Sequence, residues 1–164
     1  MEEESTNQPG NDYWSFIEPI WDGVSIYDGP EVFLAQFQKL PPEQGHIFAA
    51  HWCQSEICNG GLDQFFWNST GVLAPEAVVG FRKIGLKECA RIVQEAMSFF
   101  GEEYPRDRET RQRFLEKANE EGNLFSQLDN QFYEALDMQD GSLAVTADKY
   151  VRQTRSKLEM TNPV

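Results

Sequence analysis

His46, His51, Cys53 and Cys58 are the only soft metal ligands that fall close together in this chain. A zinc site would need them to converge at tight, paired spacings. On a helix, the five-residue step from His46 to His51 turns the side chain by about 140°, and the same step separates Cys53 from Cys58. No metal site is expected, and His51 reads as a histidine on an apolar face with a hydrogen-bond partner. Cys53 and Cys58 read as core thiols. With Cys89 they make an odd set lacking a CxxC pair, which points to reduced cysteines.

Other chemistries lack their residues. No Gly-x-Ser-x-Gly elbow marks an activated serine, and Asn59-Gly60-Gly61 is neither a Gly-x-x-x-x-Gly-Lys loop nor a Gly-x-Gly-x-x-Gly turn. Asn68-Ser69-Thr70 fits a glycosylation sequon but is read as a turn or helix end. The chain is therefore expected to be non-catalytic and to need no cofactor.

Carboxylates are abundant: 27 acids stand against 14 bases in 164 residues, a net charge of -13. Residues 1–81 hold 12 acids and Lys39 as the single base, while the remainder holds 15 acids and 13 bases. Residues 118–148 are again free of bases. Such a field repels phosphate, so direct binding to nucleic acid or to an anionic membrane is not expected, whereas a cationic protein would be attracted. Solubility alone also selects acidic surfaces.

The elements that must position these acids are helical. Asp28-Gly29-Pro30-Glu31 opens a helix carrying Phe33, Leu34, Phe37 and Leu40. Pro41-Pro42-Glu43 opens a second that Asn59-Gly60-Gly61 should end. Further helices are expected from Pro75 to Ile84, from Leu86 to Phe100, over 108–119, along the stripe Leu124, Phe125, Leu128, Phe132, Leu136, and from Leu143 to Leu158. Only Val24–Tyr27 resembles an extended piece. The expected fold is all-α, a single globular domain of about seven helices over residues 12–160, after a polar acidic tail at 1–11. No stretch approaches the ~20 apolar residues of a membrane span, and the acidic start differs from a signal peptide, so a cytoplasmic location is expected.

The segment Glu56-Ile57-Cys58-Asn59-Gly60-Gly61-Leu62-Asp63-Gln64-Phe65-Phe66-Trp67-Asn68-Ser69-Thr70-Gly71 resembles the Glu-x-x-Asn-Gly-Gly-x-x-Gln-Phe-Phe-x-Asn-Ser-x-Gly signature of the bacterial DNA-mimic protein family. Glu76-Ala77, Lys83-Ile84-Gly85, Tyr104-Pro105 and Leu128-Asp129-x-x-Phe132-Tyr133 follow in the family order, so the resemblance spans about residues 30–150. It implies an all-helical fold and a protein that imitates the phosphates of duplex DNA to occupy DNA-binding proteins, in particular transcription regulators. The signature residues Glu56, Asn59, Gly60, Gly61, Gln64, Phe65, Phe66, Asn68, Ser69 and Gly71 are read as mainly structural. Two glycines end a helix, apolar side chains bury the next, and Asn59, Gln64, Asn68 and Ser69 serve orphan backbone groups.

Mimicry would reside in surface acids. An inward face of Leu124, Phe125, Leu128 and Phe132 would place Asp129, Tyr133, Asp137 and Asp140 on an outward stripe, thickened by Glu120, Glu121 and Glu134. Glu31 and Asp63 would contribute to a second row. A buried ion pair competes for Asp129, and the bases at Arg82–Arg91 and Arg106–Lys117 dilute the negative surface. The expected partner is a basic, DNA-binding protein whose groove the carboxylates enter in competition with DNA. The alternative is an immunity-type or regulatory protein that blocks a toxin or enzyme through an acidic interface. The sequence also admits a homodimer.

Overall fold

A computed structural model describes residues 8–138 and 142–161. These residues form eight α-helices: α1 (Asn11–Ile17), α2 (Pro30–Phe37), α3 (Pro42–Trp67), α4 (Ala74–Ile84), α5 (Lys87–Ser98), α6 (Arg108–Ala118), α7 (Ser126–Met138) and α8 (Ser142–Thr161). Short 3-10 segments occupy Glu18–Gly23, Ser69–Leu73 and Asn119–Glu121, and no strand occurs among the described residues. The helix absent from the sequence reading is α1, whose seven residues are too few to show a period. Val24–Tyr27 is extended at Val24 but pairs with no strand; Val24 and Ile26 simply drop into the core.

The long helix α3 is the axis of the molecule, with α1, α4, α6, α7 and α8 all packed on it and α5 held between α4 and α7. Its inward face buries Ile47, Phe48, Ala50, Cys53 and Ile57, whereas His51, Trp52 and Ser55, which the helical spacing aligns with Ile47 and Phe48, are only half-buried. Cys58 departs from the expectation: it is exposed, because it falls past the last buried turn before the helix breaks. Helix α4 approaches α3 closely at Gly80, where an added Cβ would lie 2.3 Å from the His46 carbonyl oxygen. Gly85, at φ 100°, closes α4 in the left-handed region and passes the chain to α5.

Both ends of the chain are tied to α3 by histidines. Tyr13 Oη and His51 Nδ1 are 3.1 Å apart, joining α1 to α3, and His46 Nδ1 lies 3.1 Å from Tyr150 Oη, joining α8 to α3. The buried Asp148 of α8 accepts the N–H groups of Gly10 at 2.6 Å and Tyr13 at 2.9 Å, so a distant carboxylate caps the start of α1. No helix among the described residues is long and apolar enough to cross a membrane.

Burial pushes both His51 and His46 below their ordinary value of 6.5, with Lys83 acting in the same direction on His46. A depressed folded-state value means that the fold favours neutral imidazole. Their contribution to stability is therefore present above about pH 6.5 and lost as the pH falls through the folded values. Denaturant midpoints measured from pH 7.5 to 5 should decline across this window, and His51→Asn should flatten the decline; an unchanged slope would contradict the assignment.

Candidate functional site

The family-like signature is a corner in α3. Helical geometry fails at Gly60 (φ -152°, ψ 18°) and Gly61 (φ 78°, ψ 178°), which splits the helix into two segments. Ending the first segment and starting the second leaves backbone groups without helical partners, and side chains take them up. Asp129 Oδ1, from α7, accepts the Leu62 N–H at 2.8 Å. A Cβ on Gly61 would lie 2.8 Å from Asp129 Oδ2 in a left-handed conformation, so glycine is required there on two grounds.

Glu56 joins the two segments. Its carboxylate accepts from Gln64 Nε2 at 2.8 Å, Asn68 Nδ2 at 3.1 Å and the Thr70 hydroxyl at 3.0 Å. The Gln64 side chain folds back over Gly60, where an added Cβ would meet Gln64 Oε1 at 1.9 Å. Gln64 and Asn68 thus serve a carboxylate, not the orphan backbone groups expected of them. Phe65 and Phe66 are fully buried as expected, Asn59 is exposed and Ser69 is half-buried.

The carbonyl groups at the end of α3 are served from the far side by a run of side chains in and before α6. Arg111 is fully buried, donating Nε to Phe66 O at 2.8 Å, Nη2 to Asn68 O at 2.9 Å, and Nη1 to Arg106 O at 2.5 Å and Pro105 O at 3.3 Å. Arg108 Nε donates to Trp67 O at 3.0 Å, and the Tyr104 hydroxyl donates to Gly71 O at 2.7 Å. Arg106 donates to Val72 O at 2.9 Å and forms a two-pronged ion pair with Glu76 at 2.8 and 3.0 Å. Cations at the negative end of a helix are favourably placed. Gly71 leaves the space, since its Cβ would sit 2.7 Å from Arg111 Nε.

This arrangement revises the reading of the charges. Arg106 and Arg111 do not dilute the negative surface, because one is half-buried against Glu76 and the other sealed inside. Arg91 is bracketed by Glu88 at 2.7 Å and Glu95 at 2.6 Å, and Arg113 pairs with Glu109. The acids divide too. Asp129 is half-buried on the Leu62 N–H, and desolvation, with the charge of Asp63, raises its pKa. Tyr133, one turn later, donates its hydroxyl to Ile57 O at 2.8 Å. The Asp129–Tyr133 edge of α7 therefore faces α3, and the expected outward stripe begins only beyond it. Asp129 meets a backbone amide in place of the arginine that competed for it.

Glu120, Glu121, Glu134 and Asp137 are exposed, and among the described residues none of them forms an ion pair. Asp63 is half-buried and accepts from Asn119 Nδ2 at 2.7 Å, which ties the second segment of α3 to the turn bearing Glu120 and Glu121. The structure thus gathers Asp63, Glu120 and Glu121 at one corner, with Asp129 adjoining Asp63 and with Glu134 and Asp137 farther along α7. Glu31 is exposed on α2, and Asp140 lies outside the described residues. Among the described residues no three His, Cys, Asp or Glu side chains are placed to hold a metal ion. The sequence reading missed Arg111, for which the only available signal was a base flanked by apolar Phe114 and Leu115.

Asp129→Ala should cost about 1–3 kcal/mol in chemical denaturation, since it strands the buried Leu62 N–H. Asp129→Asn keeps an acceptor and should cost less than half as much; equal losses would show that the charge, and not the acceptor, holds the corner.

The DMP19-like protein family model matches residues 38–154, from the end of α2 into α8, and so includes the corner, Arg111 and Asp129. No curated protein and no solved structure matches the chain. By its family match, and by a signature whose residues close one helical corner, the chain belongs to the DMP19-like family of DNA-mimic proteins.

Proposed function

We propose that this protein is a non-catalytic interaction partner that presents carboxylates from the 3-10 turn Asn119–Glu121 and from α7 to the basic groove of a DNA-binding protein, in particular a transcription regulator, and competes there with DNA. The observation that carries the reading is the separation of charges: Arg106 and Arg111 are used on carbonyl groups and on Glu76, while Glu120, Glu121, Glu134 and Asp137 remain exposed and form no ion pair among the described residues. Membership in the DMP19-like family supports the same reading.

Rigidity matters because a mimic must hold its charges before the partner arrives. Residues 118–137 contain no base, and each residue of α7 advances the row by about 1.5 Å, so Glu134 and Asp137 stand about 4.5 Å apart along the axis. Duplex DNA carries one charge per about 1.7 Å of its axis, so these carboxylates form a sparser row that matches selected phosphates. Association should be fast and governed by long-range attraction.

Double reversal, Glu134→Lys with Asp137→Lys, should weaken capture of the basic partner from source-cell lysate by at least about tenfold while leaving the fold intact by circular dichroism. Asp129→Asn should leave capture unchanged. The wild-type complex should dissociate steeply as salt rises from about 50 to 200 mM. A salt-insensitive complex that tolerates both reversals would contradict the proposal and favour a specific, non-electrostatic block of an enzyme or toxin.

A further inference from the structure

In a chain of net charge -13, three guanidinium groups meet at one small cavity. The cavity, of about 120 Å³, lies between the start of α2 and the start of α6, lined by Gly29, Pro30, Ser69, Arg106, Arg108 and Arg111 among others. Their charges are unequally compensated. Arg106 is neutralised by Glu76, at 2.8 Å. Arg111 is fully buried, and among the described residues each hydrogen bond of its guanidinium goes to a backbone carbonyl oxygen. Carbonyl dipoles solvate a cation but carry no net charge, and the carboxylate whose field reaches Arg111 is the exposed Asp107, which forms no direct ion pair with it.

Donors also remain. A guanidinium has five N–H groups, and Arg111 makes four hydrogen bonds, which leaves one N–H on Nη2. Arg108 uses Nε on Trp67 O, and among the described residues neither of its Nη groups has a partner. Across the cavity, α2 begins at Pro30, which has no N–H of its own, and no side chain caps this end, so what it directs at the cavity is the positive end of the helix dipole. Two carboxylates oppose an anion here: Asp107 on the cavity wall, already accepting from the Thr110 N–H and hydroxyl, and exposed Glu31 in the first turn of α2.

We propose that this cavity binds a small tetrahedral oxyanion, inorganic phosphate or a phosphate monoester, between Arg108, Arg111 and the start of α2. Two guanidinium groups from α6, facing the positive end of α2, suit a tetrahedral group better than a planar carboxylate, which a single arginine fork would satisfy. The volume, about 120 Å³, admits one such group. The bound anion adds counter-charge where Arg111 has only the field of the exposed Asp107. The site therefore differs in sign and place from the acidic surface, and its presence does not depend on mimicry.

Calorimetric titration of the full chain with sodium phosphate, against sodium chloride at matched ionic strength, tests the site, together with O-phosphoserine as the monoester. Saturable 1:1 binding is expected, with a raised thermal midpoint. Arg108→Gln should weaken it by about tenfold, the loss of one charge-assisted contact, and Arg108→Lys by less. Arg113→Gln, which removes an exposed guanidinium of the same helix, should leave it unchanged. Tighter binding of O-phosphoserine would identify a phosphorylated side chain as the source of the group, and tighter binding of phosphate the free anion. No saturation by about 10 mM of either, or equal weakening by Arg108→Gln and Arg113→Gln, would overturn the proposal.

Discussion

The fold turns on a buried arginine that gathers backbone carbonyls. Breaking α3 at Gly60–Gly61 creates a short second segment that ends at Trp67, and the carbonyls of such an end need donors if they are to be buried. Arg111 meets that need for Phe66 and Asn68 while holding the 105–106 backbone from the other side. One side chain thereby fixes the end of α3 against the start of α6. Removing it would leave several buried acceptors unpaired, whereas the guanidinium, being planar and permanently charged, serves them from a single position.

The surface charge follows from this internal arrangement. Glu56 and Asp129 close the corner on its acidic side, Arg106 and Arg111 on its basic side, and none of the four is left as an exposed charge. The surface is therefore more negative than a count of bases suggests, because Arg106 and Arg111 are used inside. Corner and acidic face are parts of one structure: Asn119, which precedes Glu120 and Glu121, is bonded to Asp63 of the second α3 segment, and α7 is anchored at Asp129 and Tyr133 before its exposed acids begin. Carboxylates held in this way lose little freedom on binding, which is what favours a rigid mimic over a disordered acidic tail.

Much of the scaffold was legible in the sequence because helices announce themselves by period and by punctuation. Pro30, Pro42, Pro75 and Gly85 mark real helix boundaries, and Ala90 and Val93 of α5 and Leu128, Phe132 and Leu136 of α7 are buried where their spacing puts them, whereas the buried face of α3 is turned toward Ala50, Cys53 and Ile57. Helix α1 was not legible, since its cap is Asp148, 138 residues from Gly10 in the sequence. Nor was the direction of Asp129 or Tyr133: periodicity places a residue on a flank of a helix, but the neighbouring helix decides whether that flank meets backbone or water. Arg111 lay in a charged segment that reads as solvated from composition alone. The signature was recognisable as structural, yet the assignment of Gln64 and Asn68 to a carboxylate required knowing that Glu56 turns toward them across the break.

The most direct measurement of the proposed competition is an equilibrium titration in which labelled duplex DNA and this protein are presented together to a DNA-binding protein recovered with it from source-cell lysate. Occupation of one groove by either ligand predicts strict mutual exclusion, with the apparent dissociation constant for DNA rising linearly with the concentration of the acidic protein. A ternary complex, or a DNA affinity that levels off at a finite value, would contradict it.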